Sequence, residues 1–159
     1  QEPHLPKWTT ALELMNYMSH LYKVDEAGVR VKELLSYWDC IDFAKRPLGL
    51  CSHGMQKRVG LALASLHDPG YLILDEPFSG LDLLHTYALE KFIQTRNTSG
   101  KVTVLSTHIT PYAANLCSEA FILKSGKMVA IENWGQFSYE EKLSFVRKSF
   151  LGDEARAHL

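Results

Sequence analysis

The strongest constraint on the fold is a run of four apolar residues, Tyr71-Leu72-Ile73-Leu74, that ends directly in Asp75-Glu76-Pro77. A short, uninterrupted apolar run is expected of a strand covered on both faces. Such a strand needs neighbours, and the chain supplies them in alternation with helices. A helix near 83–95 and a turn at Asn97-Thr98-Ser99-Gly100 precede the β-branched strand Val102-Thr103-Val104-Leu105. A helix near 111–117 opens with Pro111, whose missing N–H costs nothing in a first turn. Ala120-Phe121-Ile122-Leu123, the turn Lys124-Ser125-Gly126-Lys127 and Met128-Val129-Ala130-Ile131 read as a hairpin. Ser138 to about Phe150 reads as an amphipathic helix with Leu143, Val146 and Phe150 on one side. Strand–helix–strand order predicts a parallel sheet in an α/β layer architecture.

The front third is helical instead. Thr10-Ala11-Leu12-Glu13 has capping-box spacing. Leu12, Met15, Met18 and Tyr22 follow at helical intervals and predict a helix over 11–22. Asp25 is placed to cap a second helix, whose stripe is Val31, Leu34, Leu35 and Trp38. A polar connection over 39–47 leads to a third helix over 53–66. The breaker His67-Asp68-Pro69-Gly70 ends it.

Composition excludes several classes. The chain has 159 residues, enough for one domain or a large piece of a bigger one. With 46% hydrophobic and 22% charged residues it is neither a disordered nor a fibrous chain. Lys and Arg number 17 against 18 Asp and Glu, a net charge of −1. That balance gives no electrostatic case for a nucleic-acid partner or an anionic membrane surface. No apolar run approaches the roughly 20 residues that span a bilayer, and no signal-peptide pattern opens the chain. The three cysteines, Cys40, Cys51 and Cys117, read as buried thiols of a reducing compartment.

Three places carry chemistry. Asp75 and Glu76 stand at the carboxyl end of a strand, where open α/β sheets bind ligands. An aspartate there can hold Mg²⁺ opposite substrate phosphates, and the adjacent glutamate can polarise an attacking water. The plainer alternative is a strand that ends in a charged turn. Ser52-His53-Gly54-Met55-Gln56 opens a helix, where free N–H groups and the positive dipole end favour anions. Ser52 can either reach a phosphate or cap its own helix, the commoner role for a lone serine. His108, in Ser106-Thr107-His108 after the strand 102–105, can contact a phosphate or serve as an ordinary hydrogen-bonding residue. The other six histidines show no metal-ligand spacing.

Taken in order, these segments resemble the second half of the nucleotide-binding domain of ABC transporters. Ser52-His53-Gly54-Met55-Gln56 resembles the signature motif, Leu72–Asp75 the Walker B strand, Ser79-Gly80-Leu81-Asp82 the D-loop, and His108 the switch histidine. Gln1 resembles the glutamine of the Q-loop. The resemblance implies a P-loop NTPase with a RecA-like parallel sheet core over 69–159 and an α-helical subdomain over 1–68. It implies ATP and Mg²⁺ as cofactors. Asp75 and Gln1 would attend the metal, and Glu76, His108 and Gln1 would act in catalysis. Residues 52–56 would contact ATP bound to a second nucleotide-binding domain. The helical subdomain would meet a transmembrane subunit at the inner face of the cell membrane, from the cytoplasm.

Four departures qualify it. His53 stands where the commonest signature has its first glycine, and Cys51 replaces the usual leucine. Met55 resembles variants among exporters of the ABC-2 type. No G-x-x-x-x-G-K-[ST] loop occurs, so no lysine-bearing phosphate cradle is present in these 159 residues. Together with the missing initiator methionine, this leads us to expect a truncated domain, inactive alone. The family's Walker A strand would lie between the strands near 102–106 and 120–124, so the chain is expected to be unstable, self-associated or rearranged. Two alternatives stand beside the transporter ATPase: a non-hydrolysing regulatory partner, and a soluble ABC ATPase that acts on ribosomes or DNA.

Overall fold

The computed structural model describes residues 4–151 of the chain. Gln1 and the side chain of Phe150 lie outside the described residues. Two compact units are formed, 1–106 and 107–159.

The first unit begins with three packed helices, α1 (Ala11–Leu21), α2 (Ala27–Tyr37) and α3 (His53–Ala64). The capping box at the start of α1 forms: the Glu13 N–H donates to Thr10 Oγ1 at 3.2 Å, and the Thr10 N–H donates to Glu13 Oε2 at 3.0 Å. The buried stripe of α1 differs from the expected one. Ala11, Met15 and Ser19 face inward at intervals of four, while Tyr22 is 46% exposed. A spacing of four residues tracks one face more closely than the three-residue steps of 12, 15 and 18. The N-cap of α2 is Glu26, in a left-handed conformation (φ 48°) and without a side-chain bond, so Asp25 does not cap it. The stripe Val31, Leu34, Leu35 and Trp38 is buried as expected. The Trp38 ring meets Phe92 edge-on at 5.4 Å.

After the breaker, β1 (Tyr71–Asp75) pairs in parallel with β2 (Val102–Ser106), and α4 (Leu83–Thr98) makes the crossover and packs against β2. The helix runs on through Asn97 and Thr98, so the turn begins only at Ser99-Gly100, with Gly100 at φ 73°. The expectation of two covered faces is corrected here. Leu72 and Leu74 are buried with Leu89 and Ile93, but Tyr71 and Ile73 are each 79% exposed. Side chains alternate across a strand, and among the described residues of this unit helix packing covers one face only.

The second unit holds α5 (Thr110–Leu116), the hairpin β3 (Phe121–Lys124) and β4 (Lys127–Ala130), and α6 (Tyr139–Leu151). The hairpin closes on Ser125-Gly126, both at positive φ, as a two-residue turn requires. Its core is Ala114, Ile131 and Trp134, and Leu143 and Val146 of α6 pack on it from one side. Trp134 Nε1 donates to the Cys117 carbonyl at 3.0 Å, which satisfies the buried indole. The two sheets are separate; among the described residues β2 pairs only with β1, and β3 only with β4.

Asp68, just before β1, is bonded by Lys101 and lies 3.6 Å from Arg96. The Lys101 hydrogen bond, helped by the Lys101, Arg30 and Arg96 charges, holds the Asp68 carboxyl below its ordinary value of 3.8. Its folded value is therefore lower than its unfolded one. Its contribution is complete above the unfolded value and is lost as pH falls through the folded value. Acid titration followed by circular dichroism is expected to show a shallower low-pH loss of stability in Asp68→Asn than in the parent.

Candidate functional site

The site is built where β1 ends. Register places Asp75 opposite Ser106, the last residue of β2. The Ser106 hydroxyl donates to Asp75 Oδ1. The chain then turns sharply, because Glu76 adopts φ 44°. A left-handed conformation at a residue other than glycine costs about 1–3 kcal/mol and persists only where the surroundings enforce it. Here both ends of the residue are held. Its N–H points at the Ser106 carbonyl and hydroxyl, at 3.1 and 3.2 Å. Its carbonyl accepts from Lys57 Nζ at 2.7 Å.

Lys57 comes from α3 and is only 6% exposed. It also donates to the Ser79 carbonyl at 2.5 Å. Burial pushes its ammonium below the usual lysine range, and the nearby Glu76 and Asp75 carboxylates push back the other way. Sequence reasoning did not single it out. The available signal was that Lys57 stands four residues before buried Leu61, on the inward stripe of α3.

The tip of α3 and the loop after β1 also meet. Ser52 caps the helix, its hydroxyl accepting from the Met55 N–H at 3.3 Å. Gly80 has φ 73°, and a Cβ added there would lie 3.2 Å from the His53 ring. A Cβ on Gly54 would lie 3.3 Å from the Gly80 carbonyl. Two glycines thus allow the close approach of 52–56 to 79–82. Gln56 is turned to structural use: its Nε2 donates to the Leu48 and Cys51 carbonyls at 2.9 and 3.1 Å. It fixes the turn that presents Ser52. Leu81 follows Gly80 and donates its N–H to the Phe78 carbonyl at 3.4 Å.

Asp82 caps α4 through the His85 N–H at 2.9 Å, and its carboxylate also meets His85 Nδ1 at 2.7 Å. These bonds from His85, backbone first, hold Asp82 below its ordinary range. The other His85 nitrogen lies 3.0 Å from Arg58, which binds Asp39 Oδ2 at 2.7 Å. His85 and Arg58 were not foreseen, because their partners come from three separate segments.

Asp75, Glu76, 52–56 and 79–82 therefore share one unit. His108 belongs to the other, exposed on the loop before α5, where it lines a cleft of about 350 Å³ with Thr110, Leu143 and Arg147. Gln1 lies outside the described residues. Among the described residues no three His, Cys, Asp or Glu converge as a metal cage. Magnesium is usually held by one or two carboxylates with waters and substrate phosphates. A single carboxylate at a strand end fits that kind of binding.

A parallel β–α–β crossover whose first strand ends in paired carboxylates fits an α/β ligand-binding layer, and the comparisons show it to be a P-loop NTPase fold of the ATP-binding type. The ABC transporter family matches residues 1–79. NatA, an ABC transporter ATP-binding protein of Bacillus subtilis (strain 168), is 30% identical over 147 residues, 89% of this chain and 60% of its own length. The cobalt import ATP-binding protein CbiO of Rhodobacter capsulatus is 35% identical over 105 residues, 66% of this chain and 38% of its own. A solved structure, an ATP-binding subunit of an ABC transporter, superposes with TM-score 0.79 at 26% identity, covering 93% of this chain and 66% of that one. The chain belongs to the ABC transporter ATP-binding family, and it spans 60% and 38% of the length of these two curated relatives.

Gly80→Ala is expected to lower stability by about 1 kcal/mol or more, because alanine is strained at positive φ. Adding His53→Ala removes the steric part and not the backbone part. Urea denaturation of the single and double variants checks this, and full recovery in the double variant would contradict the backbone argument.

Proposed function

We propose that the parent protein is the ATP-hydrolysing subunit of a membrane transporter and that this chain carries the rear part of its nucleotide site. The observation that supports this most is the held turn at Asp75-Glu76, set beside Gly80 and the Ser52 helix tip. No other arrangement in the described residues offers paired carboxylates at a strand end against a helix N-terminus.

Mg²⁺ bound with ATP would supply charge neutralisation for phosphoryl transfer. Asp75 would hold the metal's water shell, its orientation fixed by Ser106. Glu76 would orient a water and accept its proton as general base. His108 would contact the terminal phosphate, and Gln1 would attend metal and water. Ser52, His53, Gly54 and Met55 would face ATP held by a second nucleotide-binding domain, with Gln56 keeping their turn in place. Ser79, Gly80, Leu81 and Asp82 would lie at that dimer contact. Catalysis of this kind is mostly positioning and electrostatics. The helices of 1–68 would carry closure to a transmembrane subunit, with the protein peripheral on the cytoplasmic face of the membrane and residues 69–159 forming part of the ATPase core. Among the described residues no helix is long and apolar enough to cross a membrane itself.

These 159 residues hold no phosphate-cradling loop, so by themselves they should hydrolyse ATP negligibly. The decisive assay uses a chain extended upstream of Gln1 by a segment that supplies that loop. Turnover is expected in the extended protein. Glu76→Gln should reduce kcat by roughly 10²–10⁴-fold, the usual contribution of a general base, while ATP still binds. Equal turnover in both would remove Glu76 from the role.

A further inference from the structure

Lys57 is a buried ammonium on the helix whose tip is Ser52, and it donates to two backbone carbonyls of the loop that carries Glu76. A surface lysine would hydrate its charge; this one is 6% exposed and spends it on the carbonyls of Glu76 and Ser79. Glu76 is the one residue of that loop, other than glycine, with positive φ. Its N–H is fixed from β2 by Ser106, and its carbonyl is fixed from α3 by Lys57. The Ser79 N–H also reaches the Glu76 carbonyl, at 3.3 Å, so the turn closes on the atom that Lys57 holds. The same helix touches Gly80 through His53 and Gly54. A shift of α3 along its axis would thus pull on the Glu76 peptide directly.

We propose that Lys57 is a positioning residue for Glu76: it clamps the carbonyls of Glu76 and Ser79, holds the left-handed turn that sets the direction of the carboxylate, and ties that turn to the helix tip at Ser52. The inference rests on the reading of Glu76 as the general base.

Two measurements test it separately. In the 159-residue chain, hydrogen exchange of the amides of Glu76 and of 78–81 is compared in the parent, Lys57→Met and Lys57→Gln, with α1 and α2 amides as the internal check that the unit is folded. The expected result is exchange faster by about tenfold or more in Lys57→Met, since local opening sets the rate, with partial return in Lys57→Gln, whose amide still donates. Unchanged exchange in a folded Lys57→Met overturns the clamp. Where Lys57→Met does not fold, Lys57→Gln is read alone, and exchange equal to the parent again overturns it unless its amide fully replaces the ammonium, which infrared detection of both bonded carbonyls decides. In the upstream-extended protein, Lys57→Met is expected to lower kcat by roughly 10–100-fold, as small misplacements of a catalytic group do, with KM for ATP within about twofold of the parent by the same positioning argument. Faster exchange with unchanged kcat overturns the positioning role. Absence of turnover in the extended parent itself would count against the general-base reading and leave the exchange result on the clamp standing.

Discussion

Register between two parallel strands is the constraint from which the site follows. Asp75 lies opposite Ser106, so the last hydroxyl of one strand meets the last carboxylate of the other, and the next peptide is caught by the same serine. A slip of one residue would turn every side chain of β1 to the opposite face. Leu72 and Leu74 would then lose their burial, and the Ser106 hydroxyl would no longer meet Asp75. The apolar packing under the sheet and the geometry of the carboxylates are therefore set by one pairing.

The second fixed point is α3. It presents Ser52 at its tip, packs Val59 and Ala62 into the helical core, and sends Lys57 to the turn after β1. One helix thus belongs to the core, to the glycine contact at Gly80 and to the Glu76 peptide. Arg58, one residue further on, reaches His85 beside Asp82 and joins it to Asp39. Neighbouring residues of one helix turn hold the two ends of the loop 76–82, and this explains why that loop can carry two residues at positive φ.

Much of this was legible in the sequence. The apolar run at 71–74, the β-branched run at 102–105, the capping box at Thr10 and the breaker at 67–70 are local signals, and each produced the expected element. The segments 52–56, 75–76 and 79–82 were singled out by their order along the chain, and the structure brings them into one unit. What was not legible depends on contacts between distant segments. Lys57 looks like a surface residue until Glu76 and Ser79 are brought over it. Burial of β1 on both faces was expected from its unbroken apolar run, and such a run does not say which elements are there to cover each face. The start of α2 at a left-handed Glu26, in place of an Asp25 cap, reflects tertiary packing of Val31, Leu34 and Leu35 overriding a local preference.

Central to the account is a turn already formed by the protein itself, with Glu76 held left-handed by Ser106 and Lys57 before any nucleotide arrives. The most direct measurement is the backbone geometry of Glu76 by nuclear magnetic resonance on the labelled chain without nucleotide. A strong intraresidue contact between its amide and α protons, together with backbone shifts of the left-handed region, is the predicted result. Shifts of an extended or right-handed residue at Glu76, in a chain whose strands 71–75 and 102–106 are paired, would contradict it.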